Sequence, residues 1–199
     1  VMLKFIKKQK NAIVVLHEIY GVNDHIKKVC NEYHNKGFDV YCPSLLENKA
    51  PFLYSQQDEA YRYFINHSGF NPSGVVSLLS TIRPCYRKII VIGFSVGATI
   101  AWLSAESKLC DGVVCYYGSR IRDYADIIPP CPCLVIFAEF EQSFDPVLVQ
   151  RQLSDKASVT CHILNSHHGF SDPYGENFDC RNAEIARDLV ADFISRIVQ

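Results

Sequence analysis

The chain has 199 residues, 48% of them hydrophobic, with 20 basic against 21 acidic side chains and a formal net charge of −1. That length and composition fit one domain with a substantial core and no need of staples. A near-zero charge without any long basic stretch argues against a nucleic-acid partner, and no run approaches the roughly 18 apolar residues of a membrane helix.

Residues 1–9 carry lysines but no long apolar run with a small-residue cleavage site, so they read as a short edge strand and not a signal peptide. Residues 11–17 alternate into an apolar run, a strand. Asn23 is placed to cap a helix carrying Ile26, Val29, Cys30 and Tyr33 on one face, and Gly37 suits its C-terminal stop. Residues 38–42 form the next strand, closed by Pro43. Residues 44–55 have no clear periodicity and read as a loop over the top of the sheet. Helices are predicted over 56–65 and 72–82. Residues 87–92, short, apolar and β-branched, read as a buried strand, and 98–105 as a helix entering the same core. Strands follow at 112–117, 133–138 and 158–164. The last element is an amphipathic helix over 184–198, with Ala186, Val190, Phe193, Ile194 and Ile197 facing inward. Strands alternating with helices predict one α/β domain spanning the chain, a mostly parallel twisted sheet with helices on both faces. Sites in such sheets lie at the carboxyl ends of the strands.

The segment Gly93-Phe94-Ser95-Val96-Gly97 falls between a predicted strand and a predicted helix. A serine between two glycines on such a turn is a nucleophile elbow, which exposes the hydroxyl above the sheet. Ser95 needs a base, and the base needs an orienting acid. In the order Ser, acid, His, the base falls after strand 158–164, where His168, followed by Gly169-Phe170, is preferred over His167; His162 lies inside the strand. After strand 133–138 come Glu139, Glu141 and Asp145. Composition favours Asp145 as the acid, and position within the loop favours Glu141.

His17-Glu18-Ile19-Tyr20-Gly21 follows the first core strand. A metalloprotease helix needs H-E-x-x-H, and position 21 is glycine, so that reading fails. Here the segment is suited to lend the Ile19 amide, together with that of Val96, to an oxyanion hole. The nine cysteines are scattered, and Cys131-Pro132-Cys133 lacks a second ligand pair, so neither a disulfide framework nor a metal site is expected. Reduced thiols point to a cytoplasmic protein.

With these segments placed, the chain resembles the dienelactone hydrolase family over nearly its whole length. The resemblance rests on His17 through Asn23, Gly37 through Pro43, Gly93 through Gly97, Tyr116-Tyr117-Gly118 and His168-Gly169-Phe170. It implies a compact, largely capless α/β-hydrolase that cleaves lactones or other esters without a cofactor or metal. By resemblance Ser95 is the nucleophile, His168 the base, and Ile19 an oxyanion donor. Glu18 is the glutamate beside the nucleophile, and Tyr117 stands at a supporting position. The family acid lies in a G-x-x-D block. Here that block reads Ala138-Glu139-Phe140-Glu141, which selects Glu141 over Asp145.

Two departures matter. The family's name-giving enzymes use cysteine as nucleophile, and they hold a substrate carboxylate with an arginine four residues past the histidine. This chain has Ser95 and Asp172 there, with Arg120 or Arg122 as the nearest candidate substitutes. The expectation is a serine hydrolase of a small ester or lactone, monomeric or homodimeric. A thioesterase or acyl transferase with the same triad, and a non-catalytic ligand-binding relative, are the alternatives.

Overall fold

The computed structural model describes residues 2–47 and 49–199. The expectations that touch Val1, in the edge strand, and Asn48, in the 44–55 loop, lie outside the described residues at those two positions. The apolar runs form one seven-stranded sheet: β1 Met2–Phe5, β2 Asn11–Leu16, β3 Asp39–Pro43, β4 Lys88–Phe94, β5 Gly112–Tyr116, β6 Cys133–Phe140 and β7 Val159–His167. Its order is β1-β3-β2-β4-β5-β6-β7. All neighbours pair in parallel except β1, which runs antiparallel to β3 at the edge.

The pleat of β2 shows why these strands read as continuous apolar runs. Ala12, Val14 and Leu16 enter one core, while Ile13 and Val15 enter the other. The Ile13 side is covered by α1 Asp24–Asn35, through Ile26 and Cys30, and by α6 Cys180–Val198, through Ala186, Val190 and Ile194. The Ala12 side is covered by α2 Gln57–His67, α3 Ser73–Ile82, α4 Val96–Ser104 and α5 Pro146–Leu153. Both faces are buried, as a parallel sheet requires.

Local signals set the boundaries. Asn23 caps α1, its side chain accepting from the Ile26 amide, and Gly37 takes φ +89 just past the helix end. Five elements correct the sequence reading. Helix α4 begins at Val96 rather than 98, directly after the serine. Helix α5 falls where the sequence reading placed none; Asp145 caps it through the Val147 and Leu148 amides, and Pro146 fills its first position. Helix α6 begins at Cys180, not 184, because Asp179 caps it by accepting from Asn182. Strands β6 and β7 run past 138 and 164, because pairing resumes at Phe140–His167 after a register shift.

Two glycines fix how the fold meets the site. A Cβ at Gly93 would lie 2.2 Å from the Gly97 carbonyl oxygen, and one at Gly97 would lie 2.5 Å from that of Leu16. Gly97→Ala therefore forces backbone apart and is expected to destabilise by about 1–3 kcal/mol or more. Gly74→Ala, in α3 with nothing within 4 Å of its Cβ, is expected to stabilise by roughly 0.5–1 kcal/mol. Paired chemical-denaturation curves check both signs.

Candidate active site

Ser95 sits on the turn from β4 to α4 with φ +52 and ψ −113, a conformation that costs a non-glycine residue roughly 1–3 kcal/mol. The surroundings hold it there: the Ser95 amide donates to the Tyr116 carbonyl at 2.9 Å, and the Ser95 carbonyl accepts from Ala98 and Thr99. The turn leaves Ser95 partly exposed at the carboxyl ends of the strands.

The shift between β6 and β7 delivers the other two side chains. His168 follows β7 directly, and its Nε2 lies 2.9 Å from Ser95 Oγ. Glu141 follows β6 directly, and its carboxylate oxygens lie 2.9 and 3.0 Å from His168 Nδ1. The Glu141 side chain is only 3% exposed, against 39% for His168. Partial burial works against protonation of His168. The hydrogen bond and charge of Glu141, with the charge of Glu18, outweigh it and hold the pKa above the ordinary 6.5. Phe170, fully buried, anchors the histidine loop, with the Tyr117 ring packed against both Phe170 and His168.

The remaining acids have other work. Asp145 is the cap of α5, and Glu139 accepts from the Asn165 side chain at 2.6 Å. His167 is exposed against Phe140, and His162 pairs within the sheet opposite Ile136. The segment after β2 lies against the first turn of α4, since a Cβ on Gly97 would also come within 2.6 Å of the His17 carbonyl oxygen. Among the described residues, neither the Ile19 nor the Val96 amide has a hydrogen-bond acceptor.

Behind the Tyr117 ring lies a largely buried polar network that sequence reasoning saw only in part. Tyr117, at φ +41 just past β5, donates through its hydroxyl to Glu18 at 3.0 Å and meets Ser171 at 2.9 Å. Burial pushes the Glu18 carboxyl above its usual range. Tyr54 donates to Asp172 at 2.6 Å and accepts from Asn23, tying the 44–55 loop to the histidine loop and the start of α1. His25 is 2% exposed, and its Nδ1 stands 3.7 Å from Asp172 without a hydrogen-bond partner. Glu18, His25 and Asp172 offer ligand atoms within 4.8 Å of one another, making them the metal-capable group found among the described residues. His25 lies two residues past the Asn23 cap, but neither it nor Tyr54, which is distant in sequence, carried a motif. Arg120 pairs with Asp123, and Arg122 donates to the Ser119 carbonyl beside the Phe144 ring.

The Dienelactone hydrolase family model matches residues 2–198. The chain belongs to the dienelactone hydrolase family. Membership makes it a carboxylic-ester hydrolase. It is 40% identical over 167 residues to the uncharacterized protein YczH of Bacillus subtilis, covering 82% of each chain. It is 24% identical over 200 residues to a carboxymethylenebutenolidase of Pseudomonas putida, covering 92% of this chain and 85% of the relative. Its fold superposes with a TM-score of 0.75, at 19% identity, on P91, a dienelactone hydrolase-like promiscuous phosphotriesterase from metagenomic libraries. That match covers 95% of this chain and 87% of the other.

The separate employment of Asp145 is open to a direct check. Asp145→Ala is expected to lower stability by about 1 kcal/mol through the lost cap, while ester hydrolysis stays at the wild-type rate. Urea denaturation and an ester assay on the same preparation measure both.

Proposed function

We propose that the protein hydrolyses a small ester or lactone through an acyl-enzyme on Ser95. The observation that carries this reading is the continuous contact from Ser95 Oγ through His168 to Glu141, each link at 2.9–3.0 Å. Neutral His168 takes the Ser95 proton at Nε2 as Oγ attacks the acyl carbon. Glu141 holds the Nδ1–H tautomer and stabilises the imidazolium that forms. The oxyanion is held by the Ile19 and Val96 amides, the second at the positive end of α4. His168 then returns its proton to the leaving alkoxide, or to the ring oxygen of an opened lactone. Water, deprotonated by the same imidazole, releases the acid. Glu18 and Tyr117 support the loop that carries Ile19. No cofactor or metal enters these steps, and the free cysteines fit a reducing, cytoplasmic setting.

The substrate is proposed to be uncharged near the reacting carbonyl. Glu18 and Asp172 are buried acids, Glu18 near enough to act on the charge of His168, and Arg120 and Arg122 are engaged with Asp123, the Tyr61 hydroxyl and the Ser119 carbonyl. A like-charge pair some 6–10 Å apart at an effective dielectric near 20 costs roughly 1.5–3 kcal/mol. A neutral ester is thus expected to exceed its carboxylated analogue in kcat/KM by about tenfold or more, measured with matched activated esters. Equal rates for the two would reject this choice of substrate.

Ser95→Ala is expected to lower kcat for a short activated ester by at least about 10³-fold with an unchanged melting curve. Retained activity would refute the mechanism. Because the base acts as neutral imidazole, and its pKa is raised, activity should fall as pH drops through a midpoint above 6.5. Glu141→Gln removes the charge that raises it, so the midpoint should move down and kcat fall by about 10²–10⁴-fold. A pH–rate profile of both proteins reads the direction.

A further inference from the structure

His17 is fully buried at the end of β2, and the steps above give it no part. Both ring nitrogens are nevertheless engaged. The Leu45 amide donates to Nε2 at 2.8 Å, so Nε2 is the unprotonated nitrogen. Nδ1 therefore carries the proton, and it lies 2.5 Å from the Glu18 carbonyl oxygen, to which it donates. The Gly21 amide donates to the same oxygen at 3.2 Å. A carbonyl held by two donors on one side fixes the plane of the peptide that follows it.

That peptide joins Glu18 to Ile19. No cis peptide bond occurs among the described residues, so the Glu18 carbonyl and the Ile19 N–H point in opposite directions across one rigid plane. Turning the carbonyl toward His17 turns the Ile19 N–H away from it. The Ile19 N–H has no acceptor among the described residues, and its segment packs on the first turn of α4. We propose that His17 is the positioning residue of the oxyanion hole: its imidazole, locked by Leu45, clamps the Glu18–Ile19 peptide with the Ile19 N–H presented to the acyl oxygen. The proposal rests on the serine-hydrolase reading above.

The clamp needs a group with one donor and one acceptor at fixed separation, and neutral imidazole is such a group. A second ring proton would face the Leu45 N–H. Burial guards against this, lowering the His17 pKa to about 4 despite the opposing pull of the Glu18 carbonyl. The clamp thus stays in one tautomer throughout the range in which His168 titrates. The ring also fastens the start of the 44–55 loop to the β2 end, so one side chain sets both the oxyanion donor and where that loop begins.

The test compares His17→Met, which fills the space without a donor, with His17→Gln, whose amide offers one donor and one acceptor. With a neutral p-nitrophenyl ester, His17→Met is expected to lower kcat by about 10²-fold while KM stays within about threefold. Its affinity for an alkyl trifluoromethyl ketone, which forms a tetrahedral adduct on an active serine, should fall by a similar factor. His17→Gln should recover both to within about tenfold of wild type. Wild-type kcat in the Met variant, or equal losses in both variants, would overturn the proposal. If the Met variant fails to fold, ¹⁵N spectra of the wild-type ring decide: protonated Nδ1 and bare Nε2 from pH 5 to 9 support the clamp, and the other tautomer overturns it. A wild-type protein inactive on every ester would instead overturn the underlying serine-hydrolase reading.

Discussion

The close approach of the β4–α4 turn to the end of β2 is the constraint on which the site depends. Gly93 and Gly97 have no room for a Cβ, and the atoms that would be struck are backbone, which cannot rotate aside. Between them Ser95 is held at φ +52, in a backbone region that an L-residue enters at a cost. The strain is compensated by the packing around it: α4 is buried along nearly its whole length, and β4 is central in the sheet. The same approach brings the segment after β2 against the first turn of α4. The nucleophile and the oxyanion donors proposed for it thus share one cause.

The acid and base of the proposed mechanism come from the other half of the sheet, and a register shift sets their reach. Pairing between β6 and β7 breaks after Ala138–Leu164 and resumes at Phe140–His167. The extra residue on β7 re-aims the chain so that His168 and Glu141 leave the sheet as neighbours. Glu141 is buried by this arrangement, which strengthens its effect on the imidazole. Asp145, four residues further, turns back to cap α5. Two acids in one loop thereby take different partners, Glu141 the His168 ring and Asp145 the first turn of α5.

Much of this was legible in the sequence, and the parts that were not share a reason. The strands of a doubly covered sheet are apolar runs bounded by polar turns, so β2 to β7 were visible, as were α1 and α6 from their spacing. The elbow was visible because steric demand writes glycine at fixed positions. Helix α5 was missed because its apolar face is short, although Asp145-Pro146 was a start signal. The choice between Glu141 and Asp145 stayed open on residues alone, since either reaches the loop. Position in the loop and resemblance both favoured Glu141, and the feature that brings it to His168, a bulge, leaves no mark in composition. The network of Tyr54, His25 and Asp172 joins the 44–55 loop, the first turn of α1 and the histidine loop, and no local pattern predicts such a meeting. His17 was read only as part of a motif, because its role lies in hydrogen bonds to backbone atoms that sequence does not display.

The most direct test of the central claim is to quench the protein during turnover of an activated ester and map the acyl group by peptide mass spectrometry. An acyl-enzyme mechanism on Ser95 predicts one acyl group per chain, on the peptide containing Ser95, appearing in the first turnover and lost on further incubation. Acylation on a cysteine peptide, or full turnover with no acylated peptide formed, would contradict it.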